Sequence, residues 1–312
     1  LTLSSFKHLS ETSKMSASSD QAYLPYDPVV LTKNRLPRGT VDCHFHVFED
    51  QTKYPYTDNR SYTPTLSPWP AFERMNNAIG ADRAVLVHPS VYGHDHRTLF
   101  DTMRANPARL RAVGVLGKDT SDAEIEQLHQ VGTRGTRVNI LFAGGSQLAD
   151  AQLLAQRIKP FGWHIQFLVD VSTQPEIPAW AAKLGVPVVF DHFGHPSKPN
   201  LNDPGFKNMC ALVKEGIAWV KLSGAYRVVP AANKWNAIKP FVEALLNTRT
   251  DRLVWGTDWP HPNVAAPIPN DGDIVDAIFD WLPDEALRQK ILVSNPEFLY
   301  DFAPFHASDE NK

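Results

Sequence analysis

The chain reads as one (β/α)8 barrel of the TIM type, a single-domain α/β fold, and three observations point there. From Thr40 onward, β-branched runs alternate with helical patterns eight times, the signature of parallel strand-helix units. Four of those apolar runs close on polar motifs, Asp42-Cys43-His44-Phe45-His46, Asp191-His192, Lys221-Leu222-Ser223 and Thr257-Asp258, and a barrel gathers the C-terminal ends of its strands at one mouth. The 312 residues, 43% of them hydrophobic, can bury one large core. An open doubly wound sheet is the structural alternative, but it would not bring strands 1, 6 and 8 onto one centre.

The strands are expected at 40–47, 83–88, 110–116, 134–140, 163–169, 186–191, 217–223 and 252–257. Helical patterns lie near 69–79, 95–105, 121–131, 147–160, 174–184, 204–215, 234–247 and 273–281, with a terminal helix over about 284–300. Residues 1–20, rich in Ser and Thr without stable periodicity, are expected to be a disordered leader or non-native extension. Residues 21–39, with Pro25, Pro28 and Pro37, read as an extended arm, residues 40–303 as the barrel and residues 304–312 as a tail.

Composition narrows the function classes. A net charge of -3 leaves no electrostatic footprint for nucleic acid or a membrane surface, and no run approaches a transmembrane span. Cys43 and Cys210 are the only cysteines, too few for a disulfide framework or a cysteine zinc site, so a reducing cytoplasm is the expected compartment.

Side chains two apart on a strand share a face, so His44 and His46 are placed to grip one centre. Alone, H-x-H is weak evidence for a ligand pair. With His192 closing strand 6 and Asp258 closing strand 8, it becomes one site built by distant segments. Asp42 shares the face of His44, as an orienting carboxylate or as a cap at the barrel floor, while Cys43 and Phe45 point toward the helices as packing. Arg137 and Asn139 alternate on strand 4. An inward-facing arginine needs an anion, so Arg137 is assigned to a substrate carboxylate, with Arg227 in the loop after strand 7 as a second candidate. Ser90, at the end of strand 2 beside His88, could donate a hydrogen bond to substrate. His94, His96, His195 and His261 are read as lining residues, and Lys221 as an interior cation paired with an acid.

The set V-D-C-H-F-H-V-F, R-G-T-R-V-N, F-D-H-F-G, V-K-L-S-G and W-G-T-D-W-P-H-P-N resembles the amidohydrolase superfamily, in its branch of lactone-processing enzymes. The likeness runs from about residue 36 to 303 and includes Leu292-Val293-Ser294-Asn295-Pro296. It implies that the residues matching His44, His46 and His192 surround a lactone carbonyl and that Asp258 is the general base. It also implies that Tyr62, Ser90, Arg137, Arg227 and Asn263 hold the substrate. Pyrone-dicarboxylate hydrolases of this branch carry a further arginine after the R-x-N of strand 4, where this chain reads Leu141-Phe142-Ala143-Gly144; a muconolactone of the 4-sulfomuconolactone kind is therefore favoured over 2-pyrone-4,6-dicarboxylate. Galactarolactone isomerases lack the first histidine and carry asparagine for Asp258, so the expected chemistry is hydrolytic.

Three histidines and an aspartate suit one Zn2+ or Mn2+, with His44, His46, His192 and Asp258 as ligands. A binuclear centre is not expected, because His164 stands at the wrong end of strand 5 and strand 4 offers no bridging ligand. The resemblance equally allows metal-free catalysis, and both readings stay open. The expected activity is a carboxylic ester hydrolase opening a small anionic lactone from aromatic catabolism. The alternatives are a metal-dependent decarboxylase or a sugar-acid lactone isomerase on the same barrel, or a non-catalytic metabolite-binding protein.

Overall fold

In a computed structural model, eight parallel strands pair in chain order: β1 (Val41–Phe45), β2 (Arg83–Val87), β3 (Leu110–Gly114), β4 (Thr133–Asn139), β5 (His164–Leu168), β6 (Val188–Phe190), β7 (Ala218–Leu222) and β8 (Leu253–Trp255). The structure describes residues 33–232, 235–265 and 268–306; the expected leader, most of the arm and the end of the tail lie outside them. Helices α1 (Trp69–Ile79), α2 (Arg97–Ala105), α3 (Asp122–Gln130), α4 (Ala151–Ile158), α5 (Ile177–Ala181), α6 (Pro204–Glu215), α7 (Lys239–Thr248) and α8 (Asp271–Trp281) follow the strands one for one. None among the described residues is long and apolar enough to cross a membrane.

Local chemistry sets these elements. In α1 the residues at helical spacing, Phe72, Met75, Asn76 and Ile79, are buried against the barrel, and Gly80 ends the helix in the left-handed conformation. The Asp203 carboxylate accepts from the Gly205 and Phe206 amides at the start of α6, and Asn270 caps α8 through the Gly272 amide. The expected terminal helix runs over 285–300 as α9 (Glu285–Gln289), a wider π-helical stretch over Lys290–Ser294 and α10 (Asn295–Tyr300). From α10, Tyr300 enters the barrel floor and packs with Cys43, Val85, Val87, Val113 and Val254.

A bulge in β1 and its seam with β8 shape the barrel mouth. The pairing of β1 with β2 runs Asp42 to Ala84 and then Phe45 to Leu86, so Cys43 and His44 together face the single residue Val85. That bulge corrects the expectation for Cys43, which packs inside the barrel, while Phe45 packs outward on Phe72 at a centroid distance of 3.6 Å. The seam between β1 and β8 closes through Asp258 N donating to His44 O at 2.8 Å and His46 N donating to Trp259 O at 2.8 Å. Asp42 reinforces it by accepting from Thr257 N at 2.9 Å and Thr257 Oγ1 at 2.6 Å. A β-carbon on Gly256 would stand 2.6 Å from His44 N, so only glycine lets the two strands approach this closely.

Candidate active site

The seam delivers Asp258 to the two histidines. His44 Nε2 and His46 Nε2 are 3.3 Å apart, and each lies 3.6 Å from Asp258 Oδ1. His192 stands on the other side, its Nε2 at 3.7 Å from Asp258 Oδ2 and its Nδ1 at 2.9 Å from Ser223 Oγ. Asp258 and His192 hold left-handed backbone angles, φ +66° and +52°, which cost an ordinary residue of order 1 kcal/mol and concentrate where side chains are aimed at chemistry.

The two oxygens of Asp258 have different work. Oδ2 accepts from Tyr226 Oη at 2.6 Å and from Arg227 Nε at 2.6 Å, which leaves Oδ1 turned to the histidines. Burial pushes this carboxyl up, but Arg227, followed by His192 and His46, holds it well below the usual carboxylate range. It is therefore ionised at neutral pH. Burial pushes His44 down to about 3 and also lowers His46 and His192, so all three imidazoles are neutral.

Proton placement follows from the acceptors. His46 Nδ1 lies 2.7 Å from the carbonyl oxygen of Val87, which only accepts, so Nδ1 carries the proton and the Nε2 lone pair faces the centre. His44 Nδ1 sits 3.4 Å from both Lys221 Nζ and Asp191 Oδ1. If Lys221 donates to it, His44 Nε2–H donates to His46 Nε2 and the cluster is closed without an ion. If it donates to Asp191, two imidazole lone pairs and Asp258 Oδ1 converge on one point. Tetrahedral ligand atoms at bond lengths of about 2.1 Å are about 3.4 Å apart, the size of this triangle, and a carboxylate behind a ligand histidine is the usual support of such a site. The residues fit one ion, with His44, His192 and Asp258 offering atoms within 4.8 Å of one another.

Beneath the histidines lies a second charged layer. Asp191 Oδ2 binds Arg137 through Nε at 3.0 Å and Nη2 at 2.9 Å, and accepts from Gln166 Nε2 at 3.0 Å. Lys221 Nζ donates to Cys43 O at 2.9 Å and Gln166 Oε1 at 2.8 Å and lies 3.4 Å from Asp191 Oδ1. Burial opposes ionisation of Asp191, yet Lys221 and Arg137 hold it well below its usual range. The expectation that Arg137 would be uncompensated without substrate is thus corrected: its counter-ion is Asp191, one residue before the expected ligand His192. Arg227 is likewise paired, to Asp258 and to the carbonyl of Pro262.

A cleft of about 330 Å³ opens above this cluster, and Tyr62, Ser90, Arg137 and Arg227 line it together with His46, His192 and Asp258. Asn263 is not among its walls and sits exposed in the loop after β8. His195 reaches the cleft. His94 and His96 are bound elsewhere, to Val115 O and to Glu124. Tyr226 escaped sequence reasoning, although its adjacency to Arg227 was a signal; it also contacts His261 Nδ1 at 2.9 Å, which in turn faces Asp271 at 3.4 Å.

The arrangement is a buried, ionised carboxylate among neutral imidazoles in a cationic cleft, and residues 41–302 match the amidohydrolase family model. The chain belongs to the amidohydrolase family. It is 32% identical to the 4-sulfomuconolactone hydrolase of Hydrogenophaga intermedia, over 85% of this chain and 89% of the relative. It is also 32% identical to the 2-pyrone-4,6-dicarboxylate hydrolase of Comamonas testosteroni, over 85% of this chain and 91% of that one. A solved structure of a putative 2-pyrone-4,6-dicarboxylic acid hydrolase from Pseudomonas putida superposes with a TM-score of 0.76 at 28% identity, covering 86% of this chain and all of the other.

Proposed function

We propose that this amidohydrolase opens the ring of a small anionic lactone, as a carboxylic ester hydrolase. The observation that carries the reading is Asp258, clamped through Oδ2 so that the free Oδ1 faces His46 Nε2 at 3.6 Å. A water beneath the lactone carbonyl can donate to Oδ1. Asp258 takes one proton as the water oxygen bonds to the carbonyl carbon. With Ser223 Oγ–H donating to His192 Nδ1, His192 offers Nε2–H to the developing oxyanion. The ring C–O bond then breaks, and the departing ring oxygen recovers the proton from Asp258, giving an open-chain hydroxy acid.

Arg137 and Arg227 hold the anionic group through edges not turned to Asp191 and Asp258, with Tyr62 and Ser90 beside them. A single divalent ion held by His44, His46, His192 and Asp258 would, when bound, polarise the carbonyl and acidify water. Two relatives named for lactone hydrolysis support the substrate class, a muconolactone or pyrone of aromatic catabolism. Two free cysteines suit a reducing cytoplasm. The test is a panel of anionic lactones assayed before and after chelation, with metal analysis of the same sample. Ring opening of at least one supports the reading, activity surviving full metal removal assigns the chemistry to the side chains alone, and no opening by metal-replete protein refutes it.

A further inference from the structure

We propose that Asn139 is a specificity-determining residue whose Nδ2 donates to an uncharged oxygen of the bound lactone, so that the cleft takes a lactone with one anionic group and one neutral acceptor. This rests on the lactonase reading for the identity of the ligand, but not for the existence of the contact.

Three observations carry it. Asn139 ends β4 on the face of Arg137, about 6–7 Å nearer the barrel mouth, and lines the cleft. Its amide orientation is fixed, because Oδ1 accepts from the Leu141 and Phe142 amides, both at 3.0 Å. The side chain is 3% exposed, and Nδ2 has no acceptor among the described residues. A buried amide donor left unpaired is costly, and a ligand acceptor in the cleft removes that cost.

The surroundings exclude a second anion at this end. The loop that Asn139 caps carries Phe142 over the cleft, in edge contact with Tyr62 at 5.9 Å, and Leu168 completes an apolar wall. Gly144 fixes the height of that loop: at φ +91°, a β-carbon there would stand 2.3 Å from Ser90 O. Among the charges of the cleft and their ion-pair partners, Arg137, Arg227 and Lys221 face Asp191 and Asp258, which leaves one positive charge over. One carboxylate or sulfonate balances it, and a second would lie against Phe142 without a cation.

The test uses the full chain and three non-hydrolysable cyclic ketone carboxylates, titrated by calorimetry. One carries a neutral oxygen acceptor opposite its carboxylate, one a methylene there, and one a second carboxylate. Wild type should bind the acceptor analogue at least about tenfold tighter than either of the others. Asn139→Asp keeps the oxygen that caps the loop and removes the donor, so the acceptor-to-methylene ratio should fall to about one or below, because the second carboxylate oxygen repels the ligand's acceptor and meets no lone pair on the methylene. Equal binding of the acceptor and methylene analogues by wild type, an unchanged ratio in the variant, or failure of all three to bind would overturn the assignment. Equal or tighter binding of the dianion would overturn the single-anion specificity. If the ratio behaves as expected and wild type opens no lactone, the hydrolase reading fails and the Asn139 contact stands.

Discussion

Replacing Arg227 by methionine should move the acid limb of the pH–rate profile upward by about three pH units. In the native protein the guanidinium binds Asp258 Oδ2 at 2.6 Å, with the two charge centres about 4 Å apart. At an effective dielectric near 20, that attraction is about 4 kcal/mol, and about 1.4 kcal/mol corresponds to one pH unit. Burial, which pushes the Asp258 carboxyl up, stays in the variant, while the first group that pulls it down is gone. As the proposed general base, Asp258 works only when ionised, so activity is lost as pH falls through its pKa. In wild type that loss lies below the usual carboxylate range; in Arg227→Met it should enter the weakly acidic range, with activity recovered at higher pH. The assay is kcat/KM on an anionic lactone from pH 4 to 9 for both proteins. A lower plateau alone would report lost substrate binding. An acid limb that stays in place would refute the claim that Arg227 sets the ionisation of Asp258.

Arg137→Met should destabilise the fold by only about 1–2 kcal/mol, because Lys221 stays 3.4 Å from Asp191 as its counter-ion, whereas adding Asp191→Asn strands the buried Lys221 ammonium and should lower stability further, measured by denaturant unfolding. Arg137→Met should lose about thirty-fold to a thousand-fold in kcat/KM on an anionic lactone and much less on its uncharged analogue; equal losses would mean Arg137 does not read substrate charge. His164 is pushed down to about 3, first by burial and then by Lys221, against an ordinary value near 6.5. Its contribution is unaffected above pH 6.5 and turns unfavourable as pH falls toward 3, by roughly 1.4 kcal/mol per pH unit. Relative to wild type, His164→Gln should therefore gain about 2 kcal/mol between pH 7 and pH 5, and parallel pH dependences would contradict this.

The barrel and its mouth were legible because strand alternation and the position of His44, His192 and Asp258 at strand ends are properties of sequence spacing. The bulge at Cys43 and His44 was not, since an extra residue in one strand shows only against its partner, here Val85. The ion pairs were hidden for a similar reason. Asp191 stands 54 positions from Arg137, and only closure of the barrel makes them neighbours. Tyr226 and Asn139 gain their roles from single bonds, to Asp258 Oδ2 and to the Leu141 and Phe142 amides, that no periodicity encodes. The π-helical stretch over Lys290–Ser294 lies within a continuous helical pattern that does not distinguish it from α-helix.

The most direct measurement is ring opening in 18O-labelled water by wild type and Asp258→Asn. An asparagine at 258 can keep its carbonyl oxygen on Tyr226 and Arg227, so the variant should remain folded, which its melting transition checks. Wild type should place one labelled oxygen in the new carboxylate of an anionic lactone. The variant, unable to accept water's proton, should turn over at least about a thousand-fold more slowly. A folded Asp258→Asn protein that incorporates label at a rate near wild type would contradict the account.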